Sequence, residues 1–172
     1  SPVIFLVNQL DTDGCDYDVV VEDLQNIYGN KVVPVQYPIK TGADFNSLID
    51  VILMKKLTWG PDGGEPTLED IPADEKDKAE AMHKALVEAA AENDEGLMEK
   101  FFDTEHLTED EMREGIRKGM VTRSIFPVFC VCASKNMGVG RLMEFLGNVV
   151  PFVDEMPAVH NTRGEEVKPD PA

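Results

Sequence analysis

The sequence predicts an α/β protein in which two strand–helix units of one parallel sheet enclose a long α+β insertion. Two apolar runs carry this prediction: PVIFLV at residues 2–7 and IFPVFCVC at residues 125–132. Each run is unbroken, as in strands that are covered on both faces. Each is also followed by a polar loop and then by apolar residues at helical spacing.

The first unit continues from its strand through a polar loop at residues 8–14. We predict a helix over residues 16–28, because apolar residues recur there at helical spacing and Gly29 follows as a stop signal. The residues expected to share the apolar face of this helix are Val20, Leu24 and Ile27.

The insertion begins with extended segments. Residues 31–39 are predicted to form a strand, and Pro34 and Pro38 indicate that it lies at the edge of a sheet. Residues 45–59 are predicted to form one or two strands with a bend. Residues 61–72 are rich in turn formers and acidic residues, which predicts an exposed loop.

Helices follow in the insertion. Residues 73–103 are predicted to form one long amphipathic helix or a helix pair. Its expected apolar stripe contains Ala81, Ala85, Leu86, Ala89, Leu97, Met98 and Phe101. Thr108 and Glu111 have the spacing of a capping box, so a helix is expected to begin there, to run to about Lys118 and to end at Gly119.

The second unit places a helix at residues 138–149, after the second buried strand. Its expected apolar face contains Leu142, Phe145 and Leu146. The residues from 154 onward are polar and rich in proline, which is typical of a linker. Because two buried strands do not make a stable sheet by themselves, we expect the chain to be an internal segment of a larger protein.

The composition excludes several classes of function. Lys and Arg total 16 against 33 Asp and Glu, so the formal net charge is −17. No surface of this chain is expected to bind nucleic acid, because phosphate contacts need clustered Lys and Arg. No apolar run approaches the roughly 20 residues that span a bilayer, and the first residues lack the pattern of a secretory signal. We expect a cytoplasmic protein whose three cysteines, Cys15, Cys130 and Cys132, are reduced thiols without the spacing of a zinc site.

The loops after the two buried strands carry the candidate chemistry, because ligands of α/β sheets bind at the carboxyl ends of the strands. The first loop has the pattern N-x-x-D at Asn8 and Asp11. Its carboxylate could accept two hydrogen bonds, from the ring N1–H and the exocyclic amine of guanine, a donor pair that adenine lacks. The second loop, around Ala133, would offer backbone N–H groups to the guanine carbonyl oxygen. Alternatively, Asn8 and Asp11 only shape the turn and cap the following helix.

Both loops and their flanks resemble the fourth and fifth guanine-nucleotide motifs of elongation factor G, a translational GTPase. The family pattern is NK-x-D followed by C-G-S-A-x-K-N-x-G-V, and the matching stretches here are PVIFLVNQLD and PVFCVCASKNMGV. The insertion is similar too: VVPVQYPIKTGADFNSLIDVILMKKLTW resembles the start of the family's G-prime subdomain. The stretches LVEAAAENDEGLMEKFF and LTEDEMREGIRKGMVTRSIFPVFC also resemble the family, so the similarity covers essentially the whole chain.

The resemblance implies a partial P-loop GTPase-type parallel sheet, made of its last two strand–helix units, with an α+β inserted subdomain. Residues 1–30 and 122–152 would form the C-terminal half of the G domain. Residues 31–121 would be the G-prime insertion, and residues 153–172 a linker towards a second domain. The implied guanine-binding residues are Asn8, Gln9, Asp11, Cys132, Ala133 and Ser134.

Roles for these residues also follow from the resemblance. Asp11 would pair with guanine, Asn8 would brace its loop, and the Ala133 backbone would meet the guanine oxygen. Two positions depart from the family pattern, because Gln9 replaces a lysine and Cys132 replaces a serine. Glutamine is shorter than lysine and uncharged, and cysteine is a poorer hydrogen-bond partner than serine. We therefore expect a divergent paralogue that binds guanine nucleotide more weakly than a standard member.

The implied function is that of the guanine-recognition portion of a GTP-binding translation elongation factor, which acts on the ribosome in translocation or recycling. GTP or GDP would bind to the full-length protein of which this chain is a segment. The sequence contains no G-x-x-x-x-G-K-[ST] phosphate loop, and the resemblance places the switch segments and magnesium ligands outside this chain. We therefore assign no catalytic residue and no metal ligand, and we do not expect the chain to hydrolyse GTP alone.

The implied partner is the ribosome, including its stalk protein, which would meet the acidic helices between residues 73 and 118. A protein-interaction module that docks to the stalk, with a degenerate nucleotide site, is the alternative. A third class is a metal or thiol enzyme built on the cysteines and the histidines. This class is disfavoured because His83, His106 and His160 lie far apart in the sequence.

Overall fold

The structure, a computed structural model, describes residues 1–151 and 156–167. The strands are β1 (Phe5–Val7), β2 (Val32–Pro34), β3 (Gln36–Pro38), β4 (Ser47–Asp50), β5 (Lys55–Thr58), β6 (Thr67–Glu69), β7 (Phe126–Cys130), β8 (Val159–His160) and β9 (Glu166–Val167). The helices are α1 (Tyr17–Tyr28), α2 (Lys76–Ala91), α3 (Glu95–Thr104), α4 (Glu109–Thr122) and α5 (Val139–Asn148). The strands form a parallel sheet of order β1-β7-β2, an antiparallel sheet of order β3-β4-β5-β6 and the pair β8-β9.

The parallel sheet confirms the predicted α/β class with an inserted mixed segment. Its central strand β7 is buried and lies between the other two, with Val7 of β1 opposite Cys130 and Val32 of β2 opposite Phe126. The third strand, β2, comes from residues 31–121, which the resemblance assigned to the insertion. The proposed boundary at residue 31 therefore lies just before a strand that belongs to the parallel sheet.

The segment predicted as one strand at residues 31–39 is two short strands that belong to different sheets. Val35 joins them: its N–H donates to the carbonyl of Val128 at 3.1 Å, and its own carbonyl accepts from the N–H of Val51 at 3.0 Å. β2 and β3 lie at sheet edges, where a missing N–H is tolerated. Each ends in a proline that predicts this position, Pro34 or Pro38.

The antiparallel sheet contains the other strands of the insertion. β4 and β5 are the two strands with a bend that residues 45–59 predict, and Leu48 lies opposite Leu57 with both side chains buried. Residues 61–72, predicted as an exposed loop, are exposed over most of their length but also contain β6. The prediction missed this strand because β6 is a three-residue edge strand that is fully open to solvent, which leaves no apolar alternation.

Residues 73–103 form the predicted helix pair, α2 and α3, and α3 is capped by Asp94, which accepts from the N–H of Leu97 at 3.0 Å. The predicted capping box is present on α4: the Glu111 N–H donates to the Thr108 hydroxyl at 3.3 Å, and the Thr108 N–H donates to the Glu111 carboxylate at 2.8 Å. Both helices therefore begin where short polar side chains satisfy free N–H groups.

The predicted end of α4 at Gly119 is wrong, because the helix runs on to Thr122 and ends at Arg123 in a left-handed conformation. Gly119 lies inside the helix and is buried. A Cβ at this position would lie 2.6 Å from Cδ1 of Ile125 and 2.9 Å from Nδ2 of Asn93. The glycine therefore permits close packing and does not act as a stop signal.

The predicted apolar face of α1 is wrong in part, since only Leu24 of its three residues packs against the core. Val20 and Ile27 are exposed, whereas Tyr17 and Val21 are buried. The Tyr17 hydroxyl donates to the backbone carbonyl of Gln36 at 2.6 Å, and this bond turns the Tyr17 face of the helix towards the insertion.

The other two predicted stripes are correct in part. On the helix pair, Leu86 and Phe101 are buried, but Ala81 and Ala85 are exposed. On α5, Leu142 and Phe145 are buried, but Leu146 is exposed. Among the residues that the structure describes, the buried side chains of the parallel sheet, the antiparallel sheet and helices α1 to α5 form one continuous apolar cluster.

Within the predicted linker at residues 153–172, the described part contains β8 and β9, which form an antiparallel pair. Residues 153–155 and 168–172 of that prediction, and residue 152 of the predicted G-domain half, lie outside the described residues. Over the described ranges, the helices are too short or too polar to cross a membrane.

Candidate functional site

Two loops meet at the carboxyl edge of the parallel sheet. The first loop (residues 8–14) follows β1, and the second loop (residues 132–136) follows β7. β1 and β7 are neighbouring parallel strands, and the N–H of Val131 donates to the carbonyl of Val7 at 2.9 Å. The two loops therefore leave the sheet side by side. The predicted site residues in these loops are thereby brought together.

Asn8 joins the two loops directly. Its side-chain oxygen accepts a hydrogen bond from the backbone N–H of Ala133 at 3.1 Å, across 125 residues of sequence. This is the N–H that the resemblance assigns to the guanine carbonyl oxygen, so a base would share or replace the bond to Asn8. The cap of α1 is Asp16, which accepts from the N–H of Val19 at 3.2 Å. The alternative in which Asp11 caps this helix is therefore wrong.

Asp11 faces the second loop. Its carboxylate lies 3.5 Å from the ammonium of Lys135, and its side chain is 21% exposed. A hydrogen bond from Cys132 lowers the pKa of Asp11, and the positive charge of Lys135 lowers it further, against the opposing effect of burial. Asp11 is therefore ionised at neutral pH and open enough to accept hydrogen bonds from a ligand.

The second loop is closed by its own backbone. Cys132 and Met137 exchange two hydrogen bonds, of 2.9 and 3.1 Å, and Asn136 between them adopts a left-handed conformation. Cys132 is buried at the base of this loop, and its sulfur lies 3.5 Å from the hydroxyl of Ser134. Ala133 and Ser134 are exposed at the tip, where backbone N–H groups could approach a planar ligand.

Gln9 has a left-handed backbone with φ of 60°, and its carbonyl accepts from the N–H of Thr12 at 3.0 Å in a tight turn. Its side chain is exposed beside Asn8. In the family pattern this position carries a lysine. In this chain the cation that faces Asp11 is Lys135, which comes from the second loop.

Lys135 is the site residue that the sequence reasoning missed. It lies inside the quoted stretch PVFCVCASKNMGV, yet only the residues up to Ser134 were assigned to guanine. The available signal was a basic residue in the second loop opposite an acidic residue in the first.

The inserted segment forms hydrogen bonds at or beside both site loops. The N–H of Gly42 donates to the carbonyl of Leu10 at 2.8 Å, and the hydroxyl of Thr41 donates to the carbonyl of Cys15 at 2.9 Å. The N–H of Gly64 donates to the carbonyl of Asn136 at 2.9 Å. Both site loops are therefore attached to the insertion as well as to the parallel sheet.

The arrangement fits an uncharged ligand edge with adjacent hydrogen-bond donors, since Asp11 provides an ionised acceptor and the second loop provides backbone donors. Over residues 1–151 and 156–167, no group of three or more His, Cys, Asp or Glu side chains could hold a metal ion. His83 contacts the carbonyl of Val51 at 2.6 Å through Nδ1, away from both loops.

No protein-family model matches the chain. Its fold is similar to that of a protein from Thermus thermophilus whose crystal structure is known, with a TM-score of 0.75 and 27% sequence identity. The match covers 87% of this chain and 22% of the Thermus protein, so the chain spans about a fifth of the length of that relative. The chain is thus structurally related to a segment of a larger protein.

Proposed function

We propose that this chain is the guanine-recognition portion and inserted subdomain of a cytoplasmic translation elongation factor that resembles elongation factor G. The full-length protein would bind GTP and GDP and act on the ribosome in translocation or recycling. The observation that carries the proposal is the hydrogen bond between Asn8 and Ala133, which joins the two motif loops beside the ionised Asp11.

Guanine selectivity follows from the acceptor geometry of Asp11. An ionised carboxylate can accept from both the N1–H and the exocyclic amine of guanine, and these bonds are stronger than bonds between neutral groups. Adenine has an unprotonated N1 at the corresponding place, so Asp11 would lose its partners and keep the cost of desolvation. The backbone of the second loop would contribute a donor to the 6-carbonyl oxygen of guanine.

The chain itself supplies recognition and no phosphoryl transfer. Positioning of the γ-phosphate requires a phosphate loop, magnesium ligands and a group that orients the attacking water. We assign none of these roles to residues of this chain. In the full-length protein they would be provided by segments outside residues 1–172.

Calorimetric titration of the full-length protein with GDP, with ADP as the control, tests this proposal. We expect binding of GDP and none of ADP. The variant Asp11→Asn should lose affinity for GDP and gain affinity for xanthosine diphosphate, because an amide can donate to the 2-carbonyl of xanthine. Binding of neither GDP nor ADP by the unsubstituted protein would refute guanine recognition.

The exposed Gln9 gives a second test of the same site. A lysine at this position would add a long apolar stem and a positive charge beside the base, so Gln9→Lys should raise the affinity for GDP. Gln9→Met provides the matched control, because it adds apolar surface without charge. If Gln9→Lys leaves the GDP affinity unchanged, the expectation of weakened binding in this divergent member is wrong.

Docking to the ribosomal stalk is the second candidate function, with a degenerate nucleotide site. One observation favours it: Phe102 on α3 is 76% exposed, on a helix that also carries several acidic residues. Large aromatic side chains often contribute most of the binding energy at protein interfaces. Capture of the purified stalk protein by the full-length protein, and its loss in Phe102→Ser, would support this function, whereas equal capture by both proteins would count against α3.

A further inference from the structure

We infer that a loop of the insertion, the support loop (residues 60–64), sets the position of the second loop and thereby the affinity for guanine nucleotide. Gly63 is the residue that positions the second loop against the support loop. The inference rests on the proposed function, because it assigns a regulator to the same site. It concerns residues far from both guanine motifs in the sequence.

The support loop and the second loop are in backbone contact. The N–H of Gly64 donates to the carbonyl of Asn136 at 2.9 Å. A Cβ at Gly63 would overlap the carbonyl oxygen of Lys135 and lie 2.7 Å from that of Asn136. Backbone atoms cannot rotate away as the end of a side chain can, so any residue larger than glycine must displace one loop from the other.

The support loop is itself held firmly. The indole N–H of Trp59 donates to the carbonyl of Gly64 at 3.0 Å, and the Trp59 side chain is buried. The Trp59 N–H donates to the carbonyl of Asn46 at 2.9 Å, and the N–H of Gly63 donates to Gly60 at 3.1 Å. Since Trp59 directly follows β5, the loop is anchored to the antiparallel sheet. A displacement at Gly63 would therefore move the exposed second loop more than the support loop.

The first loop has its own attachment to the insertion, through the hydrogen bond from Gly42 to Leu10. The separation between the two site loops thus depends on two attachments to the same subdomain, in addition to the Asn8–Ala133 bond between the loops. Moving only one of them changes the distance from Asp11 to the donors around Ala133. A positioning role of this kind predicts altered nucleotide affinity although Gly63 itself makes no contact with the nucleotide.

Gly63→Ala tests the inference. The second loop would contact the 6-carbonyl oxygen, which guanine and hypoxanthine share, whereas Asp11 would also read the 2-amino group, which only guanine has. We expect Gly63→Ala to weaken binding of GDP and of inosine diphosphate by a similar factor, roughly three- to tenfold, as for the loss of one hydrogen bond. Asp11→Ala should instead reduce the preference for GDP over inosine diphosphate.

Gly29→Ala is the matched control. Gly29 also has a positive φ, 74° against 67° at Gly63, but no atom lies within 4 Å of a Cβ placed there. Both substitutions therefore strain the backbone, and only Gly63→Ala creates a steric clash. Trp59→Phe is a second variant without a clash: it removes the bond to Gly64 and should change nucleotide affinity in the same direction by a smaller factor.

A readout without nucleotide comes from Cys132, which is buried at the base of the second loop. Displacement of this loop should increase the rate at which Cys132 is alkylated in the nucleotide-free full-length protein, as measured by peptide mapping. Cys130 on β7 is the buried internal reference. The inference is overturned if Gly63→Ala, folded by circular dichroism, matches Gly29→Ala in both the Cys132 alkylation rate and the nucleotide affinities. Failure of the unsubstituted protein to bind GDP would instead refute the proposed function, and the alkylation comparison would still decide the positioning role.

Discussion

Two groups of polar contacts in this protein differ in burial. At the seam, defined by Gln36, Asp50 and Arg141, polar side chains of the insertion and of α5 are buried in the apolar core. At the carboxyl edge of the parallel sheet, the pairs Asn8–Ala133 and Asp11–Lys135 join two loops that are largely exposed. The same kinds of contact therefore occur in two very different surroundings.

The polar groups of the seam are almost fully satisfied. One oxygen of Asp50 accepts from Gln36 at 3.0 Å and from Arg141 at 2.8 Å. The other oxygen accepts from the backbone N–H groups of Ile52 and Leu53, both at 3.0 Å. Burial alone would lower the pKa of Arg141, but the charges of Asp50 and Glu144 outweigh it and raise the pKa, so the guanidinium stays charged.

Gln36 extends the seam to the parallel sheet. Its side-chain oxygen accepts from the backbone N–H of Cys130, the last residue of β7, at 3.1 Å. The seam therefore joins β3, β4, α5 and β7, and it fixes the insertion against the strand that leads into the second loop. The exposed pairs at the edge can be exchanged for a ligand at small cost, whereas the buried contacts hold the two sheets in register.

The largest effect is expected at the seam. Asp50→Ala leaves the Arg141 guanidinium buried without its anion, so it should lower the free energy of unfolding by about 3–5 kcal/mol. Urea unfolding of the full-length protein, followed by circular dichroism, measures the change. The double variant Asp50→Leu with Arg141→Met is the control, because both variants lose the bonds to Gln36, Ile52 and Leu53 and only the single variant leaves an unpaired buried charge. If Asp50→Ala proves as stable as the double variant, the seam does not stabilise the fold through the Asp50–Arg141 ion pair.

The packing of α2 against α4 is a buried contact between helices, which can be compared with the polar contacts of the seam. Gly115 of α4 is buried, and a Cβ there would lie 2.5 Å from the carbonyl oxygen of Ala90. Gly115→Ala should therefore destabilise the protein by about 1–3 kcal/mol, as other overpacked substitutions do. The matched control is Gly147→Ala on α5, where no atom lies within 4 Å of the added Cβ.

In that control, alanine should stabilise the helix by up to about 1 kcal/mol, because alanine has the higher helix propensity. If thermal denaturation shows a lower melting temperature for Gly115→Ala and a higher one for Gly147→Ala, the lost stability at Gly115 is due to steric contact. Equal effects at both positions would contradict the close helix packing.

Much of the fold followed from local pattern. The apolar runs predicted the two neighbouring strands of the parallel sheet, because a strand buried on both faces has no polar positions. Proline predicted the edge strands, and Thr108 with Glu111 predicted the start of α4. Gly119 misled the prediction because glycine serves both as a helix stop and as a point of close packing, and only the position of Ile125 in the fold distinguishes the two.

The candidate site was predictable in its place and not in its contacts. The prediction of one parallel sheet and the N-x-x-D spacing were enough to place Asn8 and Asp11 at the same edge as the second loop, since parallel strands end at the same edge of a sheet. The pairing of Asp11 with Lys135 and the contact of Gly63 with the second loop depend on loop conformation. Neither has a periodicity that a sequence could display.

A smaller effect is expected at the start of α4, at the surface of the insertion. Thr108→Ala removes the side chain that accepts from the Glu111 N–H, so it should cost about 1 kcal/mol of stability. Thr108→Ser is the control, because serine keeps the accepting oxygen. Chemical denaturation that places Thr108→Ala and Thr108→Ser at the same midpoint would exclude a capping contribution.

The smallest effects are expected at the exposed edge, where they appear as a pKa change. The hydrogen bond from Cys132 is the main cause of the lowered pKa of Asp11, and Lys135 contributes less. Cys132→Ala should therefore raise the pKa of Asp11 more than Lys135→Met does, and Cys132→Ser should keep it low because a hydroxyl also donates. A carboxyl titration followed by NMR measures all three.

The direction of the pH dependence follows from the same shift. A carboxyl group with a lowered pKa in the folded state stabilises the protein fully above its ordinary value of 3.8, and this contribution is lost as the pH falls through the lowered pKa. Because Asp11 is partly exposed, this acid loss should be much smaller than the change on breaking the seam, and it should shrink further in Cys132→Ala. An acid loss that is equally large in Cys132→Ala and in the unsubstituted protein would show that other carboxylates cause it, and that the loop pairs contribute recognition and no measurable stability.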